Sequence, residues 1–337
     1  MLWVYIFTGV VTLGICVAAV PLGHLLGIID QPDGTRKLHA EATPLTGGIA
    51  IVAPFVISLM IVAASSDFRP YLTALAATTI AALFLGLVDD RRHIQPSLRL
   101  ILSAAICLGV TLVVPSLNVT FLNFSFLEAP VFLESFWAII FTLMCLVGLQ
   151  NAINMADGKN GLVMGMCIIW VLLLMAYAPA HLLPVLVVLT IGLGVTLFFN
   201  LSGRLFLGDS GSYALSLAVG VLAIYVYQAN FVALQADVVA LWFLLPVVDC
   251  LRLMATRMMQ GRSPFTPDRN HFHHMLLGLM RWRWALTTYL SLVAGPSLLA
   301  YLMPQWTILW AAMVLSIYSL IVATRGRGFA QRGLTPL

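Results

Sequence analysis

Two aspartates stand side by side where an apolar run ends, in Gly86-Leu87-Val88-Asp89-Asp90-Arg91-Arg92. Like charges at the C-terminal end of a helix repel each other and the helix dipole. Such a pair calls for a cation or a proton, and the arginines that follow answer only part of that need. Farther on, Asn151, Asn154 and Asp157 are spaced by three residues, which puts them on one face at a helix end. Carboxamide and carboxylate oxygens suit a hard cation such as Mg2+. Asn160 follows, between Gly158 and Gly161, where backbone can approach a ligand closely. In Phe206-Leu207-Gly208-Asp209-Ser210-Gly211-Ser212, Asp209 lies at a predicted helix N-terminus. It is either an ordinary N-cap or a carboxylate offered to a metal–phosphate together with several N–H groups.

The basic residues gather in two other places. Lys37 and His39 precede the Gly47-Gly48 helix start, a plausible phosphate contact. Between Arg262 and His274 the chain carries Arg262, Arg269, His271, His273 and His274, with three of its seven histidines in four positions. No cysteine completes a zinc site there, and basic groups around a diphosphate fit better. Acidic metal-ligand types combined with basic phosphate-ligand types suit metal-assisted phosphoryl transfer, where catalysis is positioning plus charge neutralisation.

The elements that must hold these residues are set by composition. Of 337 residues, 61% are hydrophobic and only 9% are charged. A soluble domain runs near a quarter charged and has nowhere to put so much apolar surface. A bilayer accepts it, provided each spanning segment satisfies its own backbone as a helix. Apolar runs lie near 2–22, 47–64, 71–88, 99–116, 136–155, 162–179, 182–200, 211–228, 232–250, 284–302 and 305–322. They predict an all-α polytopic membrane protein with about eleven transmembrane helices in a single domain over residues 1–337. The segment from Asn118 to Glu134 alternates apolar and polar residues and predicts a short hairpin on the outer face. The five cysteines show no metal spacing and read as buried thiols.

Sixteen of the 17 Lys and Arg residues fall in alternate loops and the C-terminal tail, and only Arg69 lies on the other side. The positive-inside rule then places the N-terminus outside and the C-terminus in the cytoplasm. All the polar clusters come to the cytoplasmic face. The net charge of +4 is thereby explained by topology, without a nucleic-acid partner. Arg252, Arg257, Arg281 and Arg283 supply the charges that topology needs, leaving the 262–274 cluster for chemistry.

Taken in order, Asp89-Asp90, Asn151-Ala-Ile-Asn154-Met-Ala-Asp157-Gly, Gly208-Asp-Ser-Gly-Ser212 and His271-Phe-His-His274 resemble the motifs of the polyprenyl-phosphate N-acetylhexosamine-1-phosphate transferases, glycosyltransferase family 4. The resemblance runs from about Lys37 to His274. The Arg-Asn-His-Phe-His-His form is similar to the WecA-like branch, which starts O-antigen and related cell-envelope glycans. The resemblance implies that a UDP-N-acetylhexosamine, by default UDP-GlcNAc, reacts with undecaprenyl phosphate to give undecaprenyl-diphospho-sugar and UMP. It implies Mg2+, with Mn2+ as a substitute, at Asn154 and Asp209. Asp89, Asp90 and Asp157 are then the catalytic carboxylates. Lys37, His39, Asn151, Asn160, Phe206, Arg262, Arg269, His271, His273 and His274 bind substrate, with Phe206 and Asn160 at the uracil. The implied setting is the bacterial inner membrane, with room for a homodimer. One departure is Asn160, which stands where many bacterial members have a second aspartate; eukaryotic relatives that use UDP-GlcNAc share it. The competing class is a transporter or flippase for an anionic lipid or sugar. Transporters place ionisable groups and broken helices at the bilayer midplane, whereas these cluster at one face.

Overall fold

The computed structural model describes residues 1–32, 42–64, 66–266, 268 and 270–331, the last seven by backbone alone. Lys37, His39 and Arg269 lie outside the described residues. The chain is 77% helical, as an apolar chain in lipid must be. The helices are α1 (Leu2–Val17), α2 (Ala19–Leu26), α3 (Gly47–Ala64), α4 (Arg69–Arg92), α5 (Pro96–Val113), α6 (Ser135–Ala156), α7 (Leu162–Tyr177), α8 (Leu183–Leu201), α9 (Gly208–Ala229), α10 (Ala236–Met259), α11 (Phe272–Leu277), α12 (Trp282–Leu302) and α13 (Thr307–Gln331).

Among the described residues, nine helices are long and apolar enough to cross a membrane. The first predicted run is instead a pair, α1 and α2, bent by 69°. The 162–179 run forms a helix of only 16 residues. The architecture is that of a polytopic helical membrane protein. Two helices outrun their apolar stretches. α4 continues through Asp89, Asp90 and two arginines, and α10 runs to Met259, well past the predicted end near 250. Charge marks where a span leaves hydrocarbon, not where its helix stops.

Several hydroxyls inside the spans are satisfied locally. Thr78, Thr79 and Thr142 each donate to the carbonyl four residues back, at 2.7–2.8 Å, so they add no unpaired polar group. Helix α9 is the centre of the bundle: 89% of its span is buried inside the protein, against 17% for the Pro304–Thr324 span. At one end of the bundle, the expected 118–134 hairpin is present as β3 (Phe121–Leu122) paired with β4 (Val131–Phe132). At the other end, β1 (Ile29–Asp30) pairs with β2 (Thr43–Pro44), and the polar turns gather around the start of α9.

Candidate active site

The start of α9 is wedged between α3 and α4. A methyl group built on Gly86 would lie 2.4 Å from the Asp209 carbonyl oxygen, and one on Gly48 would lie 2.4 Å from the Gly211 nitrogen. Small residues here let three backbones meet, as in other membrane helix packings. Gly86→Val is therefore expected to lower thermal stability in detergent clearly, on the scale of about 1–3 kcal/mol for overpacking. An unchanged melting temperature would mean that the contact yields easily.

This wedge delivers Asp90 to the end of α9. Its Oδ1 accepts the Asp209 N–H at 2.8 Å and its Oδ2 accepts the Ser210 N–H at 3.0 Å. A carboxylate from α4 thus caps a helix that has no side-chain cap of its own. The sequence suggested that the Gly-Asp-Ser-Gly-Ser turn offers these N–H groups to a phosphate. Two of them are already taken, and Asp209 sits inside the first turn of α9 rather than at its cap. Asp89 is buried, 2% exposed. It accepts hydrogen bonds from the Ile94 N–H at 2.7 Å, Arg99 Nη1 at 3.1 Å and Tyr213 Oη at 2.6 Å. Among the described residues, the cation paired with Asp89 is Arg99 rather than the neighbouring arginines.

Asn154 and Asp209, which the resemblance groups together, are in contact: Asn154 Nδ2 donates to Asp209 Oδ1 at 2.6 Å and reaches Ser212 Oγ at 3.3 Å. For both residues to face a cation with oxygen, the Asn154 amide must turn over. Asp157 ends α6 with non-helical backbone. Burial, and then the nearby charges of Asp209 and Asp90, push its carboxyl well above the ordinary carboxylate range. Asn151 does not join the cluster through its amide, which donates to the Val147 carbonyl of its own helix at 2.8 Å.

The donor set is hard oxygen: one carboxylate and one carboxamide in contact, with two more carboxylates close by. Among the described residues, no three His, Cys, Asp or Glu converge on a closed metal cage. That combination fits Mg2+, which keeps several waters and is commonly bound by one or two carboxylates plus substrate phosphates.

Polar residues that the sequence did not single out for chemistry hold the surrounding turns. Buried Asn200 accepts the Gly161 N–H at 2.7 Å and donates to the Leu205 carbonyl at 3.0 Å. It thereby ties the turn carrying Asn160 to the strap carrying Phe206. Phe206 is fixed in turn by its N–H on the Pro44 carbonyl and by its own carbonyl, which accepts the Gly47 N–H, both at 2.9 Å. The Asn160 carbonyl accepts Trp282 Nε1 at 3.0 Å. Arg257, 5% exposed, pairs with Asp268 at 2.8 Å and donates to the Pro264 carbonyl at 2.6 Å. Arg252 pairs with Asp249 at 2.7 Å. Both arginines brace the histidine loop, a role beyond the topological one read from the sequence. A lone Asp or Asn in an apolar run gives no periodic signal, which is why these partners escape sequence reading.

The histidine segment docks on the Asp157-Gly158 turn. A methyl group on Gly158 would lie 2.5 Å from His273 Nε2. His271 and His273 stack with centroids 5.4 Å apart, and His273 and His274 are 4.2 Å apart. His273 is 1% exposed, and its Nε2 is a buried atom without a hydrogen-bond partner among the described residues. Burial first, then the neighbouring imidazoles of His274 and His271, hold its pKa well below the ordinary value, so it is neutral near pH 7. As positioned, it is a hydrogen-bonding group rather than a neutralising charge. Arg262 is exposed at the rim.

The arrangement therefore brings Asp90, Asp157, Asp209, Asn154 and His273 to one end of the bundle, around the buried start of α9. The sequence profile of glycosyl transferase family 4 matches residues 72–227. The resemblance drawn from the motifs is borne out: the chain is similar to transferases of this family. Over 314 residues it is 28% identical to the probable undecaprenyl-phosphate N-acetylglucosaminyl 1-phosphate transferase of Bacillus subtilis, covering 88% of this chain and 84% of that protein. Over 304 residues it is 28% identical to the undecaprenyl-phosphate alpha-N-acetylglucosaminyl 1-phosphate transferase of Escherichia coli K12, covering 84% of this chain and 80% of that one. The Yersinia pestis protein of the same description matches at 28% over 262 residues, 75% of this chain and 70% of its own length.

Proposed function

We propose that the chain transfers N-acetylhexosamine 1-phosphate, by default GlcNAc 1-phosphate, from its UDP-sugar to undecaprenyl phosphate. The products are undecaprenyl-diphospho-sugar and UMP, and the step starts a cell-envelope glycan such as O-antigen. The observation that carries the reading is the junction at α9, where Asn154 and Asp209 touch while Asp90 holds the turn beneath them. The relatives act on undecaprenyl phosphate by their descriptions, and they supply the substrate class.

In this account an oxygen of the lipid phosphate attacks the β-phosphorus of the UDP-sugar. A new P–O bond forms, the bond to the bridging oxygen breaks, and UMP leaves with that oxygen. A phosphate monoester is already largely ionised near pH 7, so a base adds little, and the work is positioning and charge stabilisation. Asp209 and Asn154 would hold Mg2+, with Mn2+ as a substitute, and the cation would neutralise diphosphate charge. Asp89 and Asp90 act by holding the α9 start and Arg99 in place for the lipid phosphate. Asp157 lies beside them, its charge coupled to Asp90 and Asp209. Asn160 and Phe206 take the uracil, while His271, His273, His274 and Arg262 meet phosphate or sugar. We further propose eleven crossings, with this end of the bundle facing the cytoplasm in a bacterial inner membrane, where UDP-sugars occur.

Purified protein given undecaprenyl phosphate and a panel of UDP-sugars should release UMP, and only with a divalent cation present. Release of UDP would indicate transfer of the sugar alone. No turnover with any UDP-sugar, together with movement of lipid across vesicles, would favour the flippase class.

A further inference from the structure

Asp249 lies in the middle of α10, 6% exposed, and four groups from three segments converge on it. Arg252 Nη2 donates to its Oδ1 at 2.7 Å and Tyr318 Oη to the same oxygen at 2.9 Å. The Phe272 N–H donates to Oδ2 at 3.0 Å, and His271 Nδ1 stands 3.7 Å from that oxygen, within ion-pair range. Arg252 closes the network, giving one nitrogen to Tyr318 Oη at 2.5 Å and another to the Asn270 carbonyl at 2.6 Å. Phe272, 0% exposed, anchors the assembly between Tyr289 and Tyr318, with centroids at 5.7 and 4.9 Å.

A carboxylate in a span costs free energy unless it is fully partnered. Two of the partners of Asp249, the Phe272 N–H and His271, belong to the 270–274 turn, and a third, Arg252, also holds the Asn270 carbonyl, so the effect of Asp249 is to fix that turn. Asp249 faces Nδ1 of His271 at 3.7 Å, so Nε2 is the ring nitrogen directed away from it. The ring of His271 stacks on His273, which in turn sits against Gly158, the neighbour of Asp157. Neither Asp249 nor Tyr318 lies in the profile-matched segment 72–227.

We infer that Asp249 and Tyr318 are positioning residues for the UDP-sugar site, seating the 270–274 turn through His271. The inference rests on the proposed reading that this turn meets the diphosphate, and it brings the last helix, α13, into the site. Four full-length variants test it: Tyr318→Phe, Asp249→Asn, His271→Ala and the double variant Asp249→Asn/His271→Ala. Tyr318→Phe keeps the ring against Phe272 and removes only the hydroxyl. It should raise KM for UDP-GlcNAc about five- to tenfold and leave KM for undecaprenyl phosphate unchanged, on the scale of one lost hydrogen bond in a network. Asp249→Asn should cost about tenfold or more alone and under about twofold in the His271→Ala background, because residues acting through one contact are not additive. An equal penalty in both backgrounds, or unchanged KM in Tyr318→Phe, would overturn the inference. If Asp249→Asn fails to fold, Tyr318→Phe with and without His271→Ala decides the matter by the same rule. UDP binding by calorimetry separates the two layers. A wild type that binds UDP without turnover sinks the proposed reaction, yet Tyr318→Phe must still weaken UDP; equal UDP affinity would then reject the positioning role.

Discussion

Asp209→Asn is expected to lower kcat for sugar-phosphate transfer by about two to three orders of magnitude, the scale seen when one preorganised electrostatic group is removed from a site. The fold should survive. Asparagine nearly matches aspartate in shape, and the backbone N–H that Asp90 accepts is untouched. What changes is charge at the point where Asn154, Asp157 and the α9 start converge. The loss should fall on kcat and on the divalent-cation requirement more than on KM for undecaprenyl phosphate. The check is UMP release against Mg2+ concentration for wild type and variant. Turnover within a fewfold of wild type at ordinary Mg2+ would remove Asp209 from the site.

The second large effect belongs to Asp90, and it distinguishes two roles. Asp90→Ala leaves the N–H groups of Asp209 and Ser210 without their acceptor in a buried setting. Each orphaned donor costs about 1–3 kcal/mol, so both stability and activity should fall. Asp90→Asn keeps one acceptor oxygen but turns an amide against the second N–H, and should lie between. The expected order of melting temperature in detergent is wild type, then asparagine, then alanine, with activity in the same order. A residue that served only the lipid phosphate would give a different pattern: unchanged melting temperature and a raised KM for the lipid. That pattern would contradict the bracing role.

Much of this was legible in the sequence, because spans and motifs are local signals. Apolar runs near the length of a bilayer placed the helices, and the motif resemblance, rather than any spacing, foretold the meeting of Asn154 with Asp209. Purposes were less legible. Gly48 read as part of a helix start beside a phosphate contact and Gly86 carried no reading, yet together they let α9 pass between α3 and α4. The paired aspartates read as a cation site, but one is answered by Arg99 and Tyr213 and the other by a helix terminus. Asp249, Asn200 and Tyr318 gave no motif, because their partners come from distant segments that only the folded chain brings together. The break at Ala18 was also hidden, since hydropathy continues across it.

The most direct test of the account follows the β-phosphorus. Purified protein should be given undecaprenyl phosphate and UDP-GlcNAc labelled with 32P at the β position, and the label partitioned between butanol and water. The account predicts label in the butanol-extractable lipid, one equivalent for each UMP released. Label that stays in water as UDP, or lipid that carries the sugar without the label, would contradict it.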